Sequence, residues 1–449
     1  MPTNNFEKYI ALRAKYSQFC YESFSYEKVE EDLHITFSFT ANEITFNPTI
    51  VVPNRKFYTW DNISSEGMDL LVFNIGMIEL ISYWKSVCSP NLIIKPFSLT
   101  KEQIDFWKKL YYNGLSEFFY INGISVDSAS FMDIECDSDR PMVKTKFSTD
   151  DFFIVPIGGG KDSVVTLELL RNAQKDIIPM IINPRGATLE CAKKADFERL
   201  DFIEVRRSID PKLLELNSNG YLNGHTPFSA MLAFHSLLLS AATGRKHIAL
   251  SNESSANEST VPGTNVNHQY SKSLEFENDF RRYVSTYISE DFNYFSFLRP
   301  LTELQIAMLF AGNLQYFDVF KSCNVGSKQD IWCGNCPKCL FAYIILSPFI
   351  NPEVLNRIFG KSMLNDISLK NYFDELVGVS PVKPFECVGT IEEVNVALSM
   401  TIKRFYSESN LPALLKSYNP KFVAMDLKVL ENNHNLSDEL LALLQKAVG

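Results

Sequence analysis

The chain has 449 residues, of which 46% are hydrophobic and 21% charged, so it can bury a substantial core and is not globally disordered. At about 150 residues per domain, this length allows two or three domains. Its 43 basic and 53 acidic residues give a formal charge of −10, which disfavours nucleic acid as the main partner because both would be negative.

The start of the chain lacks the apolar core and the small-residue cleavage site of a secretory signal, so no export signal is predicted. Two apolar stretches, residues 70–84 and 228–243, contain Glu79 and His235. Each is shorter than the about 20 residues that a bilayer span needs, so both are predicted to be buried core helices. These features predict a cytoplasmic protein that does not bind a membrane.

The first 148 residues are predicted to form a mixed α+β domain. Residues 34–40 and 44–52 alternate apolar and polar side chains as strands do, and residues 100–112 have helical spacing. The polar, proline-containing segment 135–146 is interpreted as a linker to the next domain.

Residues 149–350 have a different sequence pattern, in which short apolar runs alternate with amphipathic helical patterns. The runs cover residues 152–157, 177–183, 202–206, 247–251 and 294–298. This alternation predicts an α/β domain with a parallel sheet covered by helices on both faces. A capping-box pattern at Thr302 and Gln305 predicts one further helix.

Residues 351–449 are predicted to be a mostly helical C-terminal region that is interrupted at 380–390. Its last segment, residues 437–448, has apolar residues at helical spacing and is predicted to be a packing helix.

The strongest motif is a buried strand that runs into a glycine turn and then into a helix predicted over residues 164–172. The turn consists of Gly158, Gly159, Gly160, Lys161, Asp162 and Ser163. Glycines let the backbone approach an anion closely, and a helix N-terminus points N–H groups at it. Asp162 or Ser163 is predicted to cap the helix, and Lys161 to add a mobile positive charge. The turn is not a Walker A loop, because the glycine spacing differs and Asp162 stands where that loop has Ser or Thr.

This motif resembles the Ser-Gly-Gly-x-Asp-Ser loop of the PP-loop ATP pyrophosphatases, which include GMP synthetase, asparagine synthetase and the tRNA thiolation enzymes. The resemblance implies a HUP-like fold for residues 149–350 and cleavage of ATP between its α and β phosphates, with the loop holding pyrophosphate. Gly158 replaces the usual Ser, so backbone donors would have to compensate for one lost hydroxyl contact. An ordinary strand-to-helix turn without a ligand is the alternative interpretation.

Four of the nine cysteines crowd into 17 positions. They are Cys323, Cys333, Cys336 and Cys339. Four thiolates with three on a tight knuckle predict a tetrahedral zinc ion, and an iron–sulfur cluster is the main metal alternative. Because four protein ligands leave no open position, the zinc is predicted to be structural. Such a site, rather than disulfides, is expected in a reducing compartment.

Polar side chains follow several predicted strands, at the edge where open α/β sheets bind ligands. They are Asn183 and Arg185 after the second strand, Arg206 and Arg207 after the third, Asn252 and Glu253 after the fourth, and Arg299 after the fifth. We predict that Asn183 contacts the nucleotide. We predict that Arg206, Arg207, Asn252 and Arg299 contact the substrate, since arginine suits carboxylate and phosphate, although surface ion pairs are its commoner fate.

Four residues are candidates for proton transfer: His225, Glu253, His268 and Lys272. A satisfied structural histidine is an equally good interpretation of His225 and of His268. Glu253 is interpreted as a Mg²⁺ ligand, a base or a solvated surface carboxylate. His235 lies inside an apolar helical pattern and is assigned to packing.

Several longer stretches resemble one family, the UDP-N-acetylmuramoyl-L-alanyl-L-glutamate epimerases (the MurL family). Those that carry the resemblance are Leu-Asn-Gly-His-Thr-Pro at 222–227, Leu-Ser-Asn-Glu-Ser-Ser-Ala at 250–256, Val-Asn-His-Gln-Tyr-Ser-Lys-Ser-Leu at 266–274 and Phe-Ser-Phe-Leu-Arg-Pro-Leu-Thr-Glu at 295–303. The loop at 157–163, the cysteine segment 336–339 and the runs at 117–123 and 383–390 are similar too. The resemblance covers most of the chain.

The resemblance implies that the enzyme inverts the terminal L-glutamate of UDP-N-acetylmuramoyl-L-alanyl-L-glutamate to D-glutamate, with ATP and Mg²⁺, during peptidoglycan precursor synthesis. The glutamate carboxylate would be adenylated, and AMP and pyrophosphate would be released. A bulky nucleotide-sugar dipeptide would suit a substrate-binding role for residues 1–148. The expected partner is this small molecule rather than nucleic acid.

Two other PP-loop classes and one non-enzymatic class are alternatives. The 7-cyano-7-deazaguanine synthases also combine this loop with four cysteines, but they are usually compact, whereas this chain adds about 150 residues before the loop. A tRNA thiolase is disfavoured by the acidic charge. The third alternative is a non-catalytic ATP-binding protein that retains the loop.

Overall fold

The computed structural model describes residues 4–261, 263–264, 266–380, 382–416, 418–419 and 425–449. The fold is α/β, with a large mixed sheet. The chain forms two compact units. The first unit consists of Met1–Ile154, Ile203–Ile248 and Asn265–Tyr294, and the second unit consists of Val155–Phe202, Ala249–Thr264 and Phe295–Gly449.

The described residues include eleven strands. They are β1 (Gln18–Val29), β2 (Asp32–Ala41), β3 (Ile44–Phe46), β4 (Thr49–Val52), β5 (Asn91–Ile94), β6 (Asp133–Cys136), β7 (Asp150–Pro156), β8 (Ile177–Ile182), β9 (Ile203–Ser208), β10 (Arg245–Leu250) and β11 (Asn293–Ser296).

Fifteen α-helices are found in the same described ranges. They are α1 (Phe6–Lys15), α2 (Ser65–Val87), α3 (Lys101–Gly114), α4 (Ser116–Ile121), α5 (Lys161–Asn172), α6 (Gly186–Lys194), α7 (Pro211–Ser218), α8 (Phe228–Thr243), α9 (Leu274–Tyr283), α10 (Glu303–Ala311), α11 (Pro337–Leu346), α12 (Pro352–Phe359), α13 (Lys370–Leu376), α14 (Ile391–Phe405) and α15 (Asp438–Val448).

In the first unit, strands pair in the order β9-β4-β2-β1-β5-β6, and β3 also pairs with β2. β2 alternates buried and half-buried side chains along its whole length, as a strand with one face in the core must. The β1–β2, β2–β4 and β4–β9 pairs are antiparallel, whereas β1–β5 and β5–β6 are parallel. The sheet is therefore mixed at β9, because β4 from the N-terminal segment pairs with it in the antiparallel direction, which was not predicted from the sequence.

Helix α2 forms the core of the first unit. Ser64 caps its N-terminus by accepting a hydrogen bond from the Gly67 N–H at 3.1 Å. The ring of Phe73 stacks on Tyr21 of β1 with centroids 5.6 Å apart. A Cβ at Gly76 would lie 1.9 Å from the Tyr21 hydroxyl, so the helix can approach the sheet this closely only with glycine at that position.

With 23 residues, α2 is long and apolar enough to cross a bilayer by length and composition. It is longer than the stretch 70–84 on which the sequence argument relied, so its length does not exclude a span. All of its most apolar window is nevertheless buried inside the protein. The prediction of a buried core helix is therefore confirmed by its packing and not by its length.

In the second unit, helices α5 and α11 both pack against α10, and α11 also packs against α14. The backbone N–H of Ile157, just after β7, donates to the Met180 carbonyl of β8 at 2.8 Å. This bond fixes the end of the strand that precedes the glycine turn. The capping box of Thr302 and Gln305 is confirmed at the start of α10.

Candidate active site

The glycine turn of the second unit leads directly into α5, which begins at Lys161. Gly160 is the N-cap residue, so the prediction that Asp162 or Ser163 caps the helix is wrong; Ser163 Oγ instead donates to the Gly160 carbonyl at 3.1 Å. No side chain caps this helix. The first N–H groups of a helix have no intrahelical acceptor, so those of α5 are suited to an anion.

Two glycines shape the turn. Gly159 has φ of +79°, and a Cβ there would lie 3.0 Å from the Ala187 carbonyl carbon, so both the backbone and the space require glycine. The Gly159 carbonyl accepts a hydrogen bond from the Lys321 N–H at 2.8 Å, which holds the turn in place. A Cβ at Gly158 would meet nothing within 4 Å. The turn therefore has open space at its first glycine.

Lys161 is buried and forms ion pairs with Asp162 and Glu303. Burial opposes its charge, but the two carboxylates outweigh burial and raise the pKa of Lys161. The side chain is thus held in place, and the expectation of a mobile positive charge is wrong for this arrangement.

Three buried glutamates, Glu253, Glu303 and Glu393, influence one another beside this lysine. The Glu303 N–H, at the start of α10, donates to Glu393 Oε1 at 2.7 Å. Burial and the charges of Asp162, Glu253 and Glu393 raise the pKa of Glu303, although Lys161 opposes the rise. One lysine among four carboxylates leaves excess negative charge, which suits a hard divalent cation with oxygen ligands.

Three more predicted site residues belong to the second unit. Asn183 follows β8 with φ of +49°. Asn252 donates from Nδ2 to Ser296 Oγ at 3.0 Å, and Arg299 donates from Nη1 to the Glu253 carbonyl at 2.7 Å. Arg299 is 1% exposed and lines a cavity of about 410 Å³ together with Thr302 and Glu393. Arg299 thus fixes the backbone of the segment that carries Glu253.

The four cysteines of the second unit converge, with all four sulfurs within 4.8 Å of one another. The Sγ atoms of Cys323 and Cys336 are 3.8 Å apart, and those of Cys333 and Cys339 are 3.7 Å apart. Zinc–sulfur bonds of about 2.3 Å in a tetrahedron place sulfurs about 3.8 Å apart. The Gly326 N–H donates to Cys323 Sγ at 3.1 Å. The cluster therefore fits a single zinc ion, whereas a cluster of several irons needs more widely spaced thiolates.

A second cluster, the histidine cluster, consists of Glu117, His225 and His268 in the first unit. His268 Nδ1 lies 2.5 Å from Glu117 Oε2, and His225 Nδ1 lies 3.6 Å from the same oxygen. The two imidazole rings have centroids 4.5 Å apart. A carboxylate that orients an imidazole in this way is the usual arrangement of a general base and its orienting partner.

Two lysines influence this cluster, Lys85 from α2 and Lys272. The pKa of His225 is lowered to about 4, mainly by burial and also by the charges of His268, Lys85 and Lys272, against the effect of Glu117. Burial, with the charge of Arg207, lowers the pKa of Lys85 to about 8, although Glu117 opposes this. The predicted candidates His225, His268 and Lys272 are thus brought together, whereas Glu253 belongs to the carboxylates of the second unit.

Two histidines and one glutamate are also a common set of metal ligands. The 2.5 Å between His268 and Glu117 is a hydrogen-bond distance, shorter than the spacing of two ligands around one ion. The ammonium groups of Lys85 and Lys272 would oppose a cation. The histidine cluster is therefore better suited to proton transfer than to binding a metal ion.

Arg206 and Arg207 lie within β9 and not after its end. The guanidinium of Arg207 binds the buried carboxylate of Glu79 in α2, with Nε–Oε2 and Nη2–Oε1 distances of 2.8 and 2.7 Å. Arg206 Nε donates to Glu204 at 2.7 Å and its side chain is half exposed. Arg207 is engaged in a buried ion pair, which the sequence interpretation did not anticipate.

The sequence interpretation missed Glu117 and Lys85 in the first unit and Glu303 and Glu393 in the second. Glu117 and Glu303 lie in stretches that carry the family resemblance, so the resemblance could have drawn attention to them. Lys85 follows a long apolar run, and a single lysine at a helix end has no signal of its own.

Comparison with known proteins identifies relatives along most of the chain. A family model described as the MurL N-terminal domain matches residues 11–297, and one described as the MurL C-terminal domain matches residues 319–420. A relative from Xanthomonas oryzae pv. oryzae, named UDP-N-acetyl-alpha-D-muramoyl-L-alanyl-L-glutamate epimerase, is 31% identical over 409 residues, which are 87% of this chain and 89% of the relative.

Two further relatives have the same name. The protein from Salinispora tropica is 36% identical over 333 residues, 73% of this chain and 72% of the relative. The protein from Micromonospora sp. is 35% identical over 332 residues, 73% of each chain. The α/β chain is thus an enzyme of the isomerase class, an epimerase. It belongs to the MurL family.

Proposed function

We propose that this enzyme inverts the terminal L-glutamate of UDP-N-acetylmuramoyl-L-alanyl-L-glutamate to D-glutamate, with conversion of ATP to AMP and pyrophosphate. The relatives carry the name of this epimerase. The observation that carries the proposal is the histidine cluster, in which two imidazoles share the Glu117 carboxylate. Epimerisation needs such groups because a proton must leave one face of Cα and return to the other.

Activation precedes proton transfer in this proposal. A Cα proton beside a carboxylate anion is very weakly acidic, because its removal would place a second negative charge next to the first. ATP, when bound, supplies a phosphorus atom that the substrate carboxylate attacks, so that the carboxyl group becomes an anhydride and pyrophosphate leaves. The Cα proton is then far more acidic, and after reprotonation water would cleave the anhydride to give the free carboxylate and AMP.

The glycine turn is the proposed nucleotide site. Its uncapped helix N-terminus and the open space at Gly158 support phosphate binding by backbone N–H groups. The residues assigned to the nucleotide are Gly158, Gly159, Gly160, Lys161, Asp162, Ser163 and Asn183. The excess of carboxylates beside Lys161 supports Mg²⁺ binding by Asp162, Glu253 and Glu303.

Proton transfer is assigned to the histidine cluster. Glu117 orients His268, and His225 and Lys272 complete the set of groups that exchange protons or bind the anionic substrate. Each positioned acid or base contributes about 10²–10⁴-fold. Glu253 is proposed as a Mg²⁺ ligand rather than the base. We further propose that Asn252, Arg206 and Arg299 serve the substrate, Arg299 by fixing the Glu253 backbone.

The remaining assignments follow from these. Zinc bound by the four cysteines has a structural role, since no ligand position is open. We assign substrate recognition to residues 1–148 and the binding of ATP and zinc to residues 149–350. A nucleotide-sugar substrate, ATP and reduced cysteines all support a cytoplasmic location.

The test is incubation of the enzyme with UDP-N-acetylmuramoyl-L-alanyl-L-glutamate, ATP and Mg²⁺. We expect AMP, pyrophosphate and, after hydrolysis of the product, D-glutamate by chiral chromatography. Asp162→Ala should lose AMP formation, whereas the control Asp139→Ala, at an exposed position, should keep it. Absence of D-glutamate with the wild-type enzyme would refute the proposed reaction. Turnover by Asp162→Ala would refute the role of the turn.

A further inference from the structure

Lys85 lies near the C-terminus of α2 in an unusual setting. Its residue surface is 7% exposed, and Nζ donates to the Gly224 carbonyl at 2.5 Å. Within the described part of the chain this is the one hydrogen bond of the Nζ atom, and no carboxylate forms an ion pair with it. A buried ammonium without a counter-ion is costly, so the neutral amine is favoured here more than on the surface.

The charged groups around Lys85 come from different elements. Arg207 of β9 opposes the ammonium, Glu117 of α4 favours it, and the charge of Lys85 in turn affects His225. The charge of Arg207 is itself balanced by Glu79 of α2. Burial and Arg207 prevail, and the pKa of Lys85 is lowered to about 8. The amine can therefore both accept and release a proton near neutral pH.

The position of Lys85 relates it to the histidine cluster. Gly224, which accepts its hydrogen bond, directly precedes His225 in the chain. Lys85 belongs to a different element from His268 and from Glu117, which orients His268. The first unit thus contains two acid–base groups from different elements near His225: the Lys85 amine, and the imidazole of His268 with its carboxylate.

We infer that Lys85 is a second acid–base residue of the epimerisation, serving one face of Cα while the His268–Glu117 pair serves the other. This inference depends on the proposed function. In one direction the Cα–H bond breaks, its proton passes to the neutral Lys85 amine, and the electron pair moves into the activated carbonyl. Protonated His268 then donates to the opposite face of Cα. Lys85 ends protonated and His268 neutral, and exchange with solvent resets both.

A purely structural role is the competing interpretation, in which Lys85 only holds the Gly224 carbonyl. Lys85→Arg separates the two. Arginine keeps the positive charge and a hydrogen-bond donor, but it does not lose its proton in this pH range. Lys85→Met is the matched variant that keeps the length of the side chain and removes both the charge and the donor.

The experiment measures deuterium uptake at Cα in D₂O with ATP, starting separately from the L-glutamate and the D-glutamate form of the substrate. We expect Lys85→Arg and Lys85→Met to lose uptake from one form by at least about 100-fold and to keep uptake from the other. His268→Asn should show the opposite preference. AMP release should persist in all three variants, and its presence in the wild type tests the proposed function separately.

Three results would overturn the inference. In the first, Lys85→Arg keeps deuterium uptake from both substrate forms at the wild-type rate. In the second, a Lys85 variant loses uptake from both forms. In the third, Lys85→Arg and His268→Asn lose uptake from the same form. If the variants fail to fold, the pH dependence of deuterium uptake by the wild-type enzyme still tests the inference. Uptake from the form served by Lys85 should rise with pH through about 8, and identical pH profiles for both forms would contradict two separate bases.

Discussion

At the scale of single residues, Glu117 links the two histidines of the proposed active site. Its Oε2 atom lies 2.5 Å from His268 Nδ1 and 3.6 Å from His225 Nδ1. A carboxylate in this position selects the ring orientation of His268 and stabilises its protonated form. Removal of the Glu117 charge should therefore slow proton transfer and have little effect on the cleavage of ATP, which is assigned to residues of the second unit.

Glu117→Gln tests this assignment. We expect the rate of epimerisation to fall by about 10²–10⁴-fold, because the oriented, charge-stabilised imidazole is lost. ATP-dependent AMP release should fall much less. Glu43→Gln, in an exposed turn, is the control and should behave as the wild type. Equal losses of AMP release and epimerisation in Glu117→Gln would indicate a role in binding or folding instead.

Gly159 is the residue on which the shape of the turn depends. Gly159→Ala places a side chain at φ of +79° and 3.0 Å from the Ala187 carbonyl carbon. We expect the free energy of unfolding to fall by about 1–3 kcal/mol in urea titrations, with loss of ATP binding by calorimetry. Gly158→Ser, by contrast, has open space and should retain both stability and binding. Unchanged ATP affinity in Gly159→Ala would argue against the turn as the phosphate site.

At the scale of secondary structure, the strands and helices near the motifs could be predicted from their apolar spacing. The strands predicted at 152–157 and 177–183 correspond to β7 and β8, and the capping box at Thr302 is present. The strand predicted at 44–52 is instead split into β3 and β4, because Asn47 and Pro48 interrupt it. Helix α5 begins earlier than predicted, at Lys161, because Gly160 provides the cap.

The candidate site was predicted less completely than its elements. His225, His268 and Lys272 were singled out by their motifs, but Lys85 and Glu117 lie more than 100 positions before them. Lys85 and Glu117 come close to these residues through the packing of α2 and α4, and such packing cannot be predicted from a local sequence pattern. Arg207 was predicted to contact the substrate from its position at the end of a predicted strand. The sequence around it is the same whether its guanidinium binds a ligand or the Glu79 carboxylate.

The cysteine cluster makes a prediction about the start of α11, where Cys336 is the N-cap residue. We expect one zinc ion per purified chain by atomic absorption. Cys336→Ser should lose that zinc and lower the unfolding temperature, because three thiolates bind far more weakly than four. Cys20→Ser, in strand β1, is the control and should keep the zinc. Full zinc content in Cys336→Ser would contradict the proposed ligand set.

At the scale of the whole molecule, buried histidines make stability depend on pH. Burial is the main cause that lowers the pKa of both His225 and His235 to about 4 in the folded protein, against an ordinary value near 6.5. Between these values the unfolded chain binds more protons than the folded one. The free energy of unfolding is therefore unaffected by these histidines above about pH 6.5 and decreases as the pH falls toward about 4.

His235→Leu should reduce this loss. Each histidine contributes up to about 3 kcal/mol between pH 6.5 and 4, since one pKa unit corresponds to about 1.4 kcal/mol. Urea titrations at pH 6.5 and 4.5 should show a smaller difference for His235→Leu than for the wild type. An equal difference in both proteins would show that His235 does not contribute to the acid sensitivity.

In the proposed reaction, inversion at Cα depends on activation of the glutamate carboxylate by ATP. The most direct measurement is mass spectrometry of the glutamate formed in D₂O, with the nucleotide products quantified in the same reaction. We expect one deuterium at Cα of D-glutamate, formed only with ATP and accompanied by AMP and pyrophosphate. Deuterium uptake without ATP, or ADP and orthophosphate as the products, would contradict the proposed reaction.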